Sequence, residues 1–174
     1  DSFFVGAKFT KVTIGDSVTS IGGYAFYGCD SLTNVTIPDS VTTIGGSAFC
    51  GCTSLERVTI GNGVTKIGLS AFYGCTGELI VNCNIDSYYT YSFFDGSKFT
   101  KVTIGDSVTK IGNYTFYNCT SLTSVTIPDS VTTIGERAFC NCNSLKSVTI
   151  PDSVTKIGDY AFYGCTGELI VNGD

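Results

Sequence analysis

The chain has 174 residues, of which 43% are apolar and 14% charged, so it is too apolar for a disordered polar segment and can bury a core. Its net charge of -5 offers no attraction to the phosphate backbone of nucleic acid or to anionic lipid, so neither is a predicted partner. Apolar runs extend over only a few residues, so no segment is predicted to insert into a membrane.

One 23-residue unit recurs along the chain. Its first complete copy spans residues 17–39, and a second follows at residues 40–62. Phe26, Phe49 and Phe72 lie 23 residues apart, and a cysteine follows each of them three positions later. A fixed period of this length is typical of stacked supersecondary units rather than of a single globular core. We therefore predict a repeat solenoid.

Each complete repeat predicts the same succession of elements. Before the first of them, residues 3–14 resemble the end of a repeat whose beginning is missing, so we expect a fragment of a longer protein or an end that another molecule covers. Residues 32–37 alternate apolar and polar positions as a half-buried strand does, and residues 38–40 have turn chemistry. Residues 41–45 predict a second, shorter strand. Residues 47–52 predict one helical or 3₁₀ turn that is held by packing.

Residues 76–96 interrupt the pattern without losing its phase. Phe72, Phe94 and Phe116 are separated by 22 residues each, so two repeats are one residue short of 23. In the first of these repeats, residues 77–83 predict a strand in which Glu78 takes the leucine position.

The second half of the chain copies the first at an offset of 90 residues. Residues 98–109 repeat residues 8–19 letter for letter, and both halves end on Thr-Gly-Glu-Leu-Ile-Val-Asn. We predict one continuous solenoid over residues 1–174, made of two tandem blocks at about 1–90 and 91–174, rather than two globular domains.

The repeat pattern carries a family resemblance. Leu-x-x-Val-x-Ile-Pro-x-x-Val-x-x-Ile-Gly-x-x-Ala-Phe-x-x-Cys, at residues 32–52 and 122–142, resembles the BspA-type leucine-rich repeat of bacterial and some protist surface proteins. The resemblance covers almost the whole chain, and Phe-x-x-Cys occurs six times. Residues 93–96 depart from it, because Ala-Phe-x-x-Cys becomes Phe-Phe-Asp-Gly and the cysteine is lost.

This resemblance implies a fold, a location and a role. It implies an α/β repeat solenoid, namely a right-handed leucine-rich-repeat solenoid that is rich in β-structure, with short helical or 3₁₀ turns and a concave sheet. It also implies a secreted or surface-anchored protein that adheres to host or matrix proteins. The departure at residues 93–96 puts a uniform binding surface in doubt.

Cysteines are the first candidates for chemistry. Equivalent cysteines of stacked repeats would have Cα atoms about 4.8 Å apart, which is within the distance window for a disulfide. However, their side chains would point in parallel and each row of stacked cysteines, or ladder, has three members, which favours buried free thiols. The two ladders are Cys29, Cys52 and Cys75, and Cys119, Cys142 and Cys165.

Metal binding has little support in the sequence. The pairs Cys50-Gly51-Cys52 and Cys140-Asn141-Cys142 lack a second ligand pair, and the chain has no histidine, so no metal and no other cofactor is predicted. Cys50 and Cys140 take a slot held by tyrosine in other repeats, which predicts partial exposure.

Aspartates form a file, meaning residues at equivalent positions of successive repeats. Stacked carboxylates could bind calcium weakly, but Asp and the following Ser more commonly hydrogen-bond turn amides, and we favour that interpretation. The file comprises Asp16, Asp39, Asp106, Asp129 and Asp152.

The chain has no histidine, no nucleophile motif and no phosphate-binding glycine loop, so we predict that it is not an enzyme.

The outward positions of the first strands are the main candidate binding surface, because solenoids commonly bind ligands on such a face. A merely solvated sheet is the alternative, since strands carry threonine readily. The residues are Lys11, Thr13, Asn34, Thr36, Arg57, Thr59, Lys101 and Thr103, continued by Ser124, Thr126, Ser147 and Thr149. Tyr88, Tyr89 and Tyr91 are a second candidate, as binding hot spots or as plugs of the core in the irregular repeat.

The leading hypothesis is a non-enzymatic extracellular or cell-surface module that binds a protein or glycan and so mediates adhesion. Its partners would be host, matrix or cell-surface proteins or glycans. The alternative is a structural spacer in a larger surface protein, with no ligand of its own. Ice binding is disfavoured because the position beside each threonine is Lys, Asn, Arg or Ser rather than a second threonine.

Overall fold

The computed structural model describes residues 3–85 and 92–171, and over these residues it contains thirteen strands in three parallel sheets. In chain order the strands are β1 (Ser20–Ile21), β2 (Asn34–Ile37), β3 (Thr43–Ile44), β4 (Arg57–Ile60), β5 (Lys66–Ile67), β6 (Thr76–Val81), β7 (Lys98–Ile104), β8 (Lys110–Ile111), β9 (Ser124–Thr126), β10 (Thr133–Ile134), β11 (Ser147–Ile150), β12 (Lys156–Ile157) and β13 (Glu168–Val171).

The longer strands form one sheet and the two-residue strands form two others. The seven-stranded sheet has the order β13-β11-β9-β7-β6-β4-β2, and the short strands pair as β1-β3-β5 and β8-β10-β12. Neighbouring strands within each sheet are equivalent strands of successive repeats and pair in parallel, so each repeat is one turn of a parallel β-solenoid. The long sheet is continuous from β6 to β7, where the first block gives way to its copy.

Register places like residues on like. Val35 pairs with Val58 and Ile37 with Ile60, and all four side chains are buried. Because side chains alternate between the two faces of a strand, this register creates apolar files inside the solenoid and polar files outside it.

The phenylalanines confirm the predicted stacking. Consecutive ring centroids lie 5.0 to 5.6 Å apart, so the rings form one column through the core. The 22-residue repeats keep their place in it, although the Phe72 and Phe94 rings are tilted by 31°. The column comprises Phe4, Phe26, Phe49, Phe72, Phe94, Phe116, Phe139 and Phe162.

The predicted helical or 3₁₀ turns are not shown, because no helix occurs in residues 3–85 and 92–171. Within residues 47–52, the amides of Cys50 and Cys52 bond to carbonyls three residues earlier, but the intervening amides of Phe49 and Gly51 donate to the next repeat. The segment also begins at Ser47 with a φ of 54°. Since a helix needs consecutive internal bonds and uniform negative φ, alternating amides give a series of turns instead.

Close contact between repeats explains the glycine that ends each short strand. The amide of Gly45 donates to Ile21 of the preceding repeat, and a Cβ atom on Gly45 would overlap the backbone of Gly22 and Gly23. Only glycine allows the two backbones to approach this closely.

The irregular repeat is accommodated by a bulge. Gly77 pairs with Phe99 and Glu78 with Lys101, so Thr100 is the extra residue on β7.

Residues 3–85 and 92–171 contain no helix with the length and apolar character needed to cross a membrane.

Candidate functional site

The outer face of the seven-stranded sheet carries two files with different character. The variable file changes chemistry from repeat to repeat, and the threonine file is nearly uniform. The variable file consists of Lys11, Asn34, Arg57, Glu78, Lys101, Ser124, Ser147 and Glu168. The threonine file consists of Thr13, Thr36, Thr59, Thr103, Thr126 and Thr149, with Ile80 between Thr59 and Thr103 and Ile170 beyond Thr149.

All twelve predicted sheet residues lie on this outer face, and Ser124, Thr126, Ser147 and Thr149 are exposed there. Lys11, Thr13, Asn34, Thr36, Arg57 and Lys101 are exposed, whereas Thr59 and Thr103 are half-buried. Because the repeats stack in register, residues 21 to 23 positions apart in sequence become direct neighbours on one surface.

A charged cluster lies at the middle of the variable file. The Glu78 carboxylate accepts hydrogen bonds from Arg57 Nη2 at 3.1 Å and Nε at 3.3 Å, and its other oxygen lies 2.8 Å from Lys101 Nζ. Thr103 Oγ1 donates to the same oxygen at 3.3 Å. Glu78 therefore links three strands through its side chain. The lysine, and then the arginine, hold the pKa of the Glu78 carboxyl below its usual range.

Glu78 is a functional candidate that the sequence interpretation misplaced. It does not take the leucine position: it pairs with Arg57, while Leu79 pairs with Val58 and is buried. The alignment of Leu79-Ile80-Val81 with Val58-Thr59-Ile60 was the signal that could have identified this register.

A polar groove follows where the sheet loosens. Four residue pairs join β2 to β4, but only Ser124 and Ser147 are paired between β9 and β11. The groove there has a volume of about 650 Å³. Hydroxyls and two carboxylates line it, namely those of Ser124, Thr126, Ser147, Thr149, Asp129 and Asp152. It offers hydrogen-bonding groups rather than an apolar cavity.

The cysteine ladders have a structural role. All nine cysteines are free, and the thiol of Cys52 donates to the carbonyl oxygen of Phe26 in the preceding repeat at 3.2 Å. Cys75 makes the same bond to Phe49 at 3.0 Å. Four other cysteines repeat it, namely Cys29, Cys119, Cys142 and Cys165. Each thiol thus ties one repeat to its neighbour.

Burial raises the pKa of four ladder thiols, those of Cys29, Cys119, Cys142 and Cys165, and so suppresses thiolate formation there. It raises the pKa of Cys119 to about 12, and Cys83, outside the ladders, shows the same effect to about 12. In the irregular repeat Ser97 takes the cysteine position, since its amide donates to Phe94 as that of Cys29 donates to Phe26.

Cys50 and Cys140 differ from each other. Cys50 is half-buried, as predicted, but the prediction of partial exposure is wrong for Cys140, which is buried. Arg137 lies over the rings of Tyr114 and Tyr160, with its Cζ atom 5.6 and 5.1 Å from their centroids. Its side chain therefore bridges neighbouring repeats on the turn side, three residues before Cys140 in sequence.

The aspartate file is structural in part. The Asp39 carboxylate accepts a bond from the Asn62 amide at 2.8 Å, so it joins two repeats. The hydroxyl of the next residue, Ser40, donates to the Val18 carbonyl of the preceding repeat at 2.8 Å. Within the described ranges, no group of three or more acidic or cysteine side chains is placed to hold a metal ion.

Exposed tyrosines form a second surface that the sequence interpretation missed. Tyr24 and Tyr27 lie on the turn side with ring centroids 5.7 Å apart, and Tyr160 and Tyr163 form a similar pair at 5.9 Å. The signal was the spacing of three residues in Tyr-x-Phe-Tyr, which puts both rings on the same side of a turn. The tyrosine site that the sequence did predict, at Tyr88, Tyr89 and Tyr91, lies outside the described residues.

Comparison with known proteins identifies the repeat. A family model described as the BspA type leucine rich repeat region matches residues 1–95 and 86–170, with six copies. No curated protein sequence matches the chain.

Two solved structures resemble it along most of its length. A leucine rich cell surface protein from Faecalibacterium prausnitzii shares 38% identity over 95% of this chain and 46% of its own, with a TM-score of 0.62. A leucine-rich repeat protein from Bacteroides ovatus shares 35% identity over 87% of this chain and 40% of its own, with a TM-score of 0.56. The chain therefore spans less than half the length of either protein.

Proposed function

The chain belongs to the BspA-type leucine-rich-repeat family, and we propose that it is a non-enzymatic module that binds a protein through the outer face of its seven-stranded sheet. One observation carries the proposal. Residues of the variable file differ in charge and shape between repeats, while the buried files beside them remain Val, Leu or Ile. Folding requires the buried residues to repeat, whereas the outward residues can vary and so determine what the sheet binds.

The charge arrangement favours a protein partner. Arg57 and Lys101 flank Glu78, and their side chains remain 59% and 52% exposed although both are paired. Partly exposed charges of both signs on a rigid sheet suit a partner surface with complementary charges, which mainly improves specificity and association rate. The polar groove between β9 and β11 extends the same face and adds hydroxyl groups.

We place the module outside the cell or on its surface, where it would meet host, matrix or cell-surface proteins and mediate adhesion. The Faecalibacterium relative, which is named as a cell surface protein, supports this location. Antibody labelling of intact cells of the source organism tests it: labelling before permeabilisation is expected, and labelling only afterwards would contradict it.

A binding array tests the function. Matrix proteins, cell-surface proteins and glycans are probed with the wild-type chain, with Arg57→Ala/Lys101→Ala, and with the control Lys66→Ala/Lys156→Ala. The control removes the same charge from exposed lysines on short strands. We expect at least one protein hit that the first variant weakens by about tenfold or more and the control leaves unchanged.

Three outcomes would contradict the proposal. Binding that is equally strong in both variants would remove the sheet face as the site, and the exposed Tyr24 and Tyr27 would become the next residues to replace. Hits confined to glycans would overturn the assignment of a protein partner. The absence of any hit would favour the spacer interpretation.

A further inference from the structure

The polar groove between β9 and β11 lies at a junction that is closed one block earlier. Residues from 124–129 and 147–153 line the groove, and their equivalents at an offset of 90 residues are 34–39 and 57–63. Four residue pairs join β2 to β4 in the first block, whereas one pair joins β9 to β11. The turns after the second strand also differ, since Gly-Asn-Gly in the first block is Pro-Asp-Ser in the second.

Proline removes a backbone bond that closes the sheet in the first block. The Gly61 amide donates to the Ile37 carbonyl at 2.9 Å. The equivalent residue in the second block, Pro151, has no amide hydrogen and cannot donate to Ile127. The strands β9 and β11 therefore lack the bond that holds the end of the ladder together.

Side chains of the second turn also hold the two repeats apart. A Cβ atom on Gly61 would lie 2.6 Å from the Asp39 carboxylate, and one on Gly63 would overlap the Asp39 carbonyl oxygen. Pro151 and Ser153 carry Cβ atoms at these two positions. Their turn must therefore stand farther from the preceding turn than the glycine-rich turn does, which opens the groove.

The opening leaves two carboxylates of the groove without partners. Asp39 accepts a bond from the Asn62 amide at 2.8 Å, but its equivalent, Asp129, has no hydrogen-bond or ion-pair partner in the described part of the chain. Asp152, which replaces Asn62, adds a second carboxylate that is unpaired within the same ranges. Both aspartates are exposed. The groove thus carries two uncompensated negative charges, which attract a cation.

The groove also offers an apolar surface that other repeats cover. Val125, which lines the groove, is half-buried, whereas its equivalents Val35, Val58 and Val102 are buried. Lysine and arginine side chains lay an apolar stem on such a surface while the charged head stays near water. A metal ion matches this lining less well, because no group of three or more acidic or cysteine side chains among the described residues is placed to hold one.

We propose that this groove, defined by Val125, Asp129, Pro151 and Asp152, receives one lysine or arginine side chain of the protein partner. The stem lies on Val125, and the charged head pairs with the two aspartates. The inference rests on the proposed function and adds to it the chemistry of a residue that the partner must offer.

Titration of short peptides against the threonine-methyl-labelled chain tests this inference. The probes are capped pentapeptides of glycine whose central residue is lysine, arginine, ε-acetyl-lysine or glutamate. We expect the methyl signals of Thr126 and Thr149, which line the groove, to shift and saturate with the lysine or the arginine peptide. The acetylated and glutamate peptides are expected to shift neither signal. The relative affinities of the two cationic peptides show which head group the groove prefers.

Two variants remove the site by different routes. Asp129→Asn/Asp152→Asn removes both charges. Pro151→Gly/Asp152→Asn/Ser153→Gly gives the second block the turn of the first, which the chain already accommodates at the equivalent junction. Each variant is expected to weaken binding of the cationic peptides about fivefold or more. Circular dichroism of each variant confirms that it is folded.

The matched control is Glu56→Gln/Asp159→Asn, which removes two negative charges at exposed positions outside the groove. It is expected to leave peptide binding unchanged. The peptides report on the groove alone, so failure of this inference is distinguishable from failure of the proposed function, which the binding array tests separately.

Three results would overturn the inference. The first is the absence of any shift of Thr126 and Thr149 with either cationic peptide. The second is binding that the control weakens as much as Asp129→Asn/Asp152→Asn does. The third is calcium chloride that shifts the same signals at lower concentration than either cationic peptide, which would assign the groove to a metal ion.

Discussion

At the scale of single residues, Glu78 shows how one outward side chain can organise a surface. It receives Arg57 from one neighbouring strand and Lys101 from the other, and 18% of its side chain remains exposed. Solvent-accessible pairs of this kind contribute little individually, but two cations on one carboxylate also fix the orientation of both long side chains. The cluster therefore presents charges in defined positions.

Glu78→Gln is expected to lower the free energy of unfolding by roughly 0.5–1 kcal/mol near neutral pH, as measured by chemical denaturation. The folded-state pKa of Glu78 is depressed, first by Lys101. Its contribution is therefore present above the carboxyl pKa of the unfolded chain and is lost as pH falls through the lower folded value.

The matched control is Glu168→Gln, because Glu168 occupies the equivalent position in the second block, where its strand neighbour is Ser147 instead of arginine. Its effect is expected to be smaller. An effect equal to that of Glu78→Gln, or a Glu78 effect that grows as pH falls, would contradict the assigned ion pairs.

The cysteine ladders make a second residue-scale prediction. Cys75→Ala is expected to destabilise the chain by about 1–2 kcal/mol, because it removes a fully buried thiol and its bond to the Phe49 carbonyl. Cys50→Ala, at a half-buried position, is expected to cost less than about 0.5 kcal/mol. Equal destabilisation of the two variants in guanidinium unfolding would argue against the structural role of the ladder.

At the scale of elements, the phenylalanine column is the central packing feature. Phe94 is fully buried, stacks with Phe116 at 5.4 Å and lies 5.6 Å from the ring of Phe72, so it connects the two blocks through the irregular repeat. Phe94→Ala is expected to destabilise the chain by about 3–5 kcal/mol in chemical denaturation.

Phe3→Ala is its control, because Phe3 is 76% exposed and is expected to contribute less than about 0.5 kcal/mol. Comparable losses from both substitutions would mean that the column does not carry the packing energy assigned to it.

The elements also show what the sequence could and could not predict. The strands and the column followed from alternation and a fixed period, which specify which side chains are buried. The series of turns at residues 47–52 could not be predicted in this way. Local composition does not reveal that Phe49 and Gly51 donate their amides to the next repeat. A short segment can satisfy its backbone either internally or across repeats, and stacking decides between them.

The candidate site was predictable in outline but not in detail. The period alone placed Arg57 and Lys101 on one outward file. Their connection through Glu78 depends on register in a shortened repeat, where a bulge at Gly77 and Glu78 shifts the pairing by one residue. The groove between β9 and β11 depends on local loosening of the sheet, which the nearly identical repeats gave no reason to expect.

At the scale of the whole molecule, repetition separates stability from recognition. Thiols, buried apolar files and side-chain bonds to the preceding repeat recur at fixed positions, as in the bonds from Thr42 to Thr19 and from Thr65 to Thr42. These recurring contacts hold each repeat against its neighbours, and substitutions on the variable file leave them unchanged. The solenoid can thus carry different outward residues on an unchanged scaffold.

The central claim is that recognition occurs on the outer face of the long sheet, and threonine-methyl NMR tests it most directly. The chain is labelled at threonine methyl groups and titrated with the strongest protein hit from the array. We expect the shifts of Thr36, Thr59 and Thr103 to move, while those of Thr42, Thr65 and Thr132, beside the short strands, remain in place. Shifts confined to the second group would contradict the account.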